Sequence, residues 1–238
     1  MNSVNPSSNN KSPPMKPRIL CLHGRCQSGA MLSNKIAGAR KKLQRIYELD
    51  FLDGPLVVAE AIPDQNAATE ITKLQGQPLE FSELQRQLAW WDKDPKTGKH
   101  LNITQAFSYV IETTKGKDYD GILGFSQGGV LAASLVLTGA FPNVKVILTA
   151  GSPYVPDAFE CAKSVAPNQE TIQHGLNVPK LHFAGKTDAM VPVESTARLC
   201  EAAGNGNIVL HEKGHLFPTK AAYVNQMMRF LEEAFREE

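Results

Sequence analysis

The chain is predicted to fold as an α/β protein, a mostly parallel, doubly wound sheet with helices on both faces. Two observations carry that expectation. Short apolar runs of strand length alternate with helical patterns from residue 18 to the end. Midway along, a glycine-flanked serine sits between an apolar strand and an apolar helix. At 238 residues, one large domain suits the chain better than two small ones. The expected division is a disordered tail over 1–16 and a single α/β domain over 17–238.

The tail is rich in Ser, Asn and Pro and lacks both the apolar core of a secretory signal and the Arg-rich pattern of a transit peptide. Residues 18–22 form an apolar strand that runs into His23-Gly24. Leu32, Ile36, Ala39 and Leu43 then recur at helical spacing. A second strand over 46–52 is closed by the turn signal Asp53-Gly54-Pro55. Residues 56–100 carry no clear sheet pattern and contain Trp90-Trp91. Ile103, Ala106, Phe107, Val110 and Thr114 mark one face of the next helix. The strand 121–125 precedes the serine, and 130–137 is apolar almost throughout, as a helix buried under a sheet should be. Further strands are expected over 144–149, 181–184 and 208–210. Val193, Ala197 and Cys200 set one late helical face, and Val224, Met227, Met228, Leu231 and Phe235 set the last. Neither a repeat nor a domain linker interrupts this order.

Composition narrows the function classes. A hydrophobic content of 42% with 21% charged residues is ordinary for a soluble globular protein. A formal net charge of +1 leaves no field to draw nucleic acid or an anionic membrane, and no apolar run reaches the length of a membrane span. Cys21, Cys26, Cys161 and Cys200 make no C-x-x-C pair, so they read as reduced thiols of a cytoplasmic protein. Cys26 stands out because it follows a candidate active-site loop. The chain has no H-E-x-x-H, no Cys/His set at ligand spacing, no P-loop and no G-x-G-x-x-G, so neither metal nor cofactor is called for. Nothing speaks to oligomeric state.

Gly124-Phe125-Ser126-Gln127-Gly128 reads G-x-S-x-G. A serine is a poor nucleophile at neutral pH, and this pattern holds one on a tight strand-to-helix turn with its hydroxyl clear of the backbone. A base must take its proton and later return it, which calls for a histidine. His215 follows the last strand and so stands at the carboxyl edge of the sheet, where ligands bind in such folds. His211 competes from the strand end, His182 lies inside a strand as a core histidine would, and His100 and His174 fall in polar segments. Asp188, just after the strand 181–184, is the favoured acid, with Asp157 as rival. Glu194 starts the following helix. An aspartate there also serves as an ordinary turn or cap carboxylate. The resulting order, Ser126, Asp188, His215, is the one this strand–turn–helix context predicts. Two backbone N–H groups are needed for the oxyanion: Gln127, after the serine, and Arg25, after the first strand, with Cys26 as alternate. His23 reads as structural. Trp90 and Trp91 read equally as core packing or as the lining of an acyl-substrate pocket.

The motifs Leu20-Cys-Leu-His-Gly24, Phe51-Leu-Asp-Gly-Pro55, Trp90-Trp91, Gly121-Ile-Leu-Gly-Phe-Ser-Gln-Gly-Gly129, Gly185-Lys-Thr-Asp188 and Gly214-His-Leu-Phe-Pro218 together resemble the FSH family of serine hydrolases, over about residues 17–235. The resemblance implies a compact α/β-hydrolase fold without a large cap domain. It implies hydrolysis of carboxylic esters or thioesters of acyl chains through an acyl-enzyme, a small-molecule substrate, no cofactor, and Ser126, Asp188 and His215 as nucleophile, acid and base. Residues 57–80 match no family motif, and the acyl preference is expected to lie in 56–100. An acyltransferase using a non-water acceptor and a catalytically silent acyl-binding protein are the alternatives.

Overall fold

A computed structural model describes residues 16–58, 87–204 and 206–236. Most of the expected tail, and the 59–86 part of the segment expected to set acyl preference, lie outside the described residues. Six parallel strands form the main sheet: β1 (Arg18–Leu22), β2 (Glu48–Leu52), β7 (Gly121–Phe125), β8 (Val146–Ala150), β9 (Lys180–Gly185) and β10 (Asn207–His211), in the order β10-β9-β8-β7-β1-β2. The chain reverses direction across the sheet at β1, whose neighbours are β2 and β7. The β1/β7 crevice is therefore the switch point at which such sheets hold ligands.

Period-two alternation sends the strand side chains to two separate cores. Leu20, Leu22, Ile122 and Ile147 pack on one face with helices α3 (Ile103–Thr113), α4 (Gln127–Leu135) and α5 (Pro156–Val165). Ile19, Cys21, Leu123, Phe125, Leu148 and Phe183 pack on the other with α1 (Gly29–Lys35), α2 (Ala37–Leu43) and α8 (Ala221–Ala234). Every residue of α4 from Gly128 to Leu135 is buried, which accounts for its lack of a polar stripe. The α/β class with helices on both faces is thus as expected, and among the described residues no helix is long and apolar enough to cross a membrane.

Three local readings needed correction. The single helix expected around 32–43 is two, broken at Ile36, whose φ of −98° and ψ of 18° leave the helical region. No residue is inserted at the break, so Leu32, Ile36, Ala39 and Leu43 still face the core. Among the described residues of 56–100 lie two short antiparallel pairs, β3 (Leu56–Val57) with β4 (Leu88–Ala89), and β5 (Asp92–Lys93) with β6 (His100–Leu101). Strands of two residues are too short to show alternation. The expectation lacks two helices between β8 and β9: α5, and α6 (Gln169–Asn177). Their signals are terminal ones, Pro156 at the start of α5 and the Asn168 side chain accepting the Thr171 N–H at 2.8 Å. The carboxyl end of α6 is closed by buried Lys180, whose Nζ donates to the carbonyls of Gly175, Leu176 and Val178. Burial pulls this ammonium down to about 8. Helix α7 (Val193–Ala202) carries Glu194 in its first turn, as expected.

Candidate active site

All the strand ends that matter lie on one edge. The ladder register carries past them: the Ser126 N–H donates to Ala150 O at 2.9 Å, Gly151 N–H to Phe183 O at 2.9 Å, and Lys186 N–H to His211 O at 2.8 Å. The residues after β7, β8, β9 and β10 are thereby held side by side.

Ser126 has φ 52° and ψ −119°, a conformation that few non-glycine residues adopt. Such strain costs on the order of 1–3 kcal/mol and persists only where the surroundings over-determine it. Here the surroundings are both ends of a strand-to-helix turn. The serine N–H is tied to β8, and its carbonyl accepts the N–H groups of Gly129 and Val130 in the first turn of α4. The motif glycines make the crossing possible. A Cβ on Gly124 would run into the Gly128 carbonyl, and one on Gly128 into the carbonyls of Leu22 and His23. The strand, the turn and the β1 loop are packed backbone against backbone.

The Asp188 carboxylate has its side chain 1% exposed, and both of its oxygens meet donors. Oδ1 accepts the N–H groups of Met190 and Val191, both at 2.9 Å, and Oδ2 meets His215 Nδ1 at 2.7 Å. The turn-carboxylate role and the histidine-partner role are therefore filled by one group, with an oxygen for each. His215 lies in the loop after β10. That loop is pinned two residues later by Phe217, buried against Phe183 at 6.3 Å between ring centroids. The imidazole packs on Phe125 at 4.9 Å between centroids and stands over Gly151. It is thus set against the two residues that flank Ser126 in the chain and in the sheet.

The other histidines are turned to different work. His23 is fully buried; its Nε2 accepts the Gly54 N–H at 2.8 Å, so Nδ1 carries the proton and donates to Gly24 O at 2.8 Å. Burial holds it below the usual imidazole range. His182 meets Thr149 Oγ1 at 2.7 Å inside the sheet, and burial lowers it to about 4. His211 is buried, accepts the Lys213 N–H at 3.3 Å and is likewise lowered by burial. His100 Nδ1 accepts the Trp91 indole N–H, and His174 is exposed on α6. Asp157 sits in the first turn of α5, beside a cleft it shares with His100 and Cys161.

The β1 loop presses on the turn. A Cβ on Gly24 would come within 3.2 Å of Ser126 Cβ. Within the loop, the Gly24 N–H donates to Gln27 Oε1, and Gln27 pairs with Leu88 through both backbone groups. Cys26 takes a positive φ of 57°. Arg25 does not point freely into solvent: its guanidinium donates to Trp91 O at 3.3 Å and pairs with Asp92 at 3.1 Å. A cleft of about 420 Å³ borders it, lined also by Leu56, Val57, Ala89 and Asn102.

The tryptophan pair takes its packing reading, not the pocket one. Trp90 and Trp91 are 0% and 1% exposed, members of the core on the α4 face. Their indole N–H groups are satisfied internally, by His23 O at 2.7 Å and His100 Nδ1 at 3.0 Å. Sequence reasoning also missed the Gln127 side chain, which binds the backbone of both tryptophans. A contact between residues 36 and 37 apart leaves no local signal.

A family model described as serine hydrolase (FSH1) matches residues 12–227. The chain belongs to the FSH1 serine hydrolase family. The chain spans about half the length, 47% and 52%, of two curated Schizosaccharomyces pombe relatives. One of these, named dihydrofolate reductase, is 29% identical over 92% of this chain. Esterase OVCA2 of Bos taurus is 30% identical, with 91% of this chain and 96% of that protein covered. Among solved structures, Zea mays acyl-protein thioesterase 2 superposes with a TM-score of 0.61 at 16% identity, covering 97% of this FSH1-family chain and 96% of that one. At that identity the likeness concerns the α/β-hydrolase fold alone.

Proposed function

We propose that the chain hydrolyses carboxylic esters or thioesters of acyl chains, with Ser126, Asp188 and His215 as nucleophile, acid and base. The observation that carries this reading is the 2.7 Å Asp188–His215 pair set at the sheet edge against the strained turn of Ser126. With Nδ1 bonded to Asp188, His215 keeps Nε2 for the serine proton. Ser126 Oγ adds to the acyl carbonyl carbon as Nε2 takes its proton. The backbone N–H groups of Gln127 and Arg25 receive the oxyanion. As the bond to the leaving oxygen or sulfur breaks, His215 returns the proton to it. Water then adds to the acyl-enzyme by the same route, its proton passing through His215 back to Ser126, and the free acid leaves.

Exposed Met190 and Leu216, on the loops that carry Asp188 and His215, suit an apolar acyl group. A reducing, cytoplasmic setting suits wholly buried Cys21 and the absence, among the described residues, of any disulfide. The test is Ser126→Ala with p-nitrophenyl acyl esters and matching thioesters of graded chain length. Turnover should vanish while the protein stays folded, and a fluorophosphonate probe should label Ser126. Wild-type hydrolysis by the variant, or labelling at Cys26, would overturn the proposal.

A further inference from the structure

The reaction above uses only the backbone of Gln127, yet both ends of its side chain are engaged. Oε1 accepts the Trp90 N–H at 3.0 Å, and Nε2 donates to Trp91 O at 2.9 Å. A primary amide gripping an N–H and a C=O of adjacent residues is a two-point bond that fixes direction as well as distance. The same short segment, 88–92, is tied a second time to the loop after β1. The Trp90 indole donates to His23 O at 2.7 Å. Trp91 O also accepts from Arg25 Nη1, and Asp92 pairs with Arg25 Nη2. Gln27 and Leu88 exchange two backbone hydrogen bonds, at 3.3 and 2.9 Å.

Segment 88–92 is therefore a strap. One side of it holds the residue after Ser126, and the other holds the loop that starts at His23. These are the two places from which the oxyanion donors are proposed to come, and they belong to different elements, α4 and the β1 loop. Two such donors act together only if each lies about 2.7–3.1 Å from one oxygen, so their mutual spacing has to be set by something rigid. Packing alone would ask of position 127 only an apolar side chain of similar size. The structure places there an amide matched to a backbone N–H and C=O.

We infer that the Gln127 side chain is a positioning residue that, through the strap 88–92, sets the spacing of the two oxyanion donors. It touches no reacting atom. The inference rests on the proposed Ser126 mechanism, and the two fail separately.

The experiment compares Gln127→Met, which keeps length and volume but loses both bonds, with Trp90→Phe, which keeps an aromatic ring but loses the bond to His23 O. Active enzyme is counted by fluorophosphonate titration, so rates are per competent molecule. Misplacing a catalytic group by about 1 Å costs about 10²-fold, so each variant should lose about 10- to 100-fold in kcat with KM changed less than about 2-fold. Affinity for an alkyl boronic acid, whose tetrahedral serine adduct occupies the oxyanion position, should fall by a similar factor. The double variant should lose little more than the worse single one, because both act through one strap. Wild-type kcat and boronate affinity in the folded variants would overturn the inference, as would a loss confined to melting temperature. Should Gln127→Met not fold, Trp90→Phe carries the same two outcomes. If wild-type enzyme is not labelled at Ser126, it is the mechanism that has failed.

Discussion

Gly151→Ala puts a known strain and a known collision at the same atom. Gly151 has φ +55°, and an added Cβ would lie 3.1 Å from both Cε1 and Nδ1 of His215 and 3.3 Å from Phe125 Cε2. Ordinary contacts at such a carbon begin near 3.4 Å. The imidazole must therefore withdraw by a few tenths of an ångström, and Nδ1 is the atom held at 2.7 Å by Asp188. An L-residue in this region costs about 1–2 kcal/mol, which in a chain of this size lowers Tm by about 2–8 °C. Scaling from about 10²-fold per 1 Å of misplacement, the shift of the proposed base should lower kcat about 3- to 10-fold. Gly116→Ala is the control, since Gly116 has φ +78° with nothing within 4 Å of its Cβ position. It should lose stability alone. Ester kinetics and thermal unfolding are measured on both variants, with the downfield His215 Nδ1–H proton followed by NMR. The reasoning is refuted if Gly151→Ala matches Gly116→Ala in Tm and the wild type in kcat.

Asp188→Asn keeps an oxygen for the Met190 and Val191 N–H groups but loses the charge facing His215; kcat for esters should fall about 10³- to 10⁴-fold with little change in melting temperature. A loss below 10-fold would count against Asp188 as the acid. Acid should destabilise the fold through His182, which burial holds at about 4 against an ordinary value near 6.5. The unfolded chain binds that proton first, so the His182 contribution to stability is level above about pH 6.5 and falls by about 3 kcal/mol as pH drops toward 4. Urea unfolding of wild type and His182→Gln across that range should show a shallower slope in the variant; identical slopes would reject the assignment. Lys180→Met leaves three carbonyls at the end of α6 without their ammonium donor and should cost about 1–3 kcal/mol in the same assay, with kcat unchanged.

What could be read from the sequence was whatever repeats locally or must satisfy a local geometry. The sheet edge, the Ser126 turn and the order of Asp188 and His215 depend on strands of five or six residues and on residues just beyond them, and these leave apolar runs and glycines behind. Terminal signals for α5 and α6 were present at Pro156 and Asn168, but each helix buries only two or three residues among many polar ones and so leaves few apolar marks. The tryptophan pair was ambiguous because burial and pocket lining select the same residue type. Only the positions of His23 O and His100 decide it. Gln127 was the least legible, since its partners lie 36 and 37 residues away and bind through backbone atoms, which no residue type announces.

Helix α4 has no face that water reaches: from Gly128 to Leu135 it is core on every side. It cannot fray by a turn, as surface helices do, without opening the centre of the protein. The conformation of Ser126, one residue before it, is thus tied to global unfolding and not to any partial opening. Under the proposed mechanism, fluorophosphonate labelling of Ser126 should be lost along a denaturant titration together with tertiary structure, with no unreactive but otherwise native population between the two.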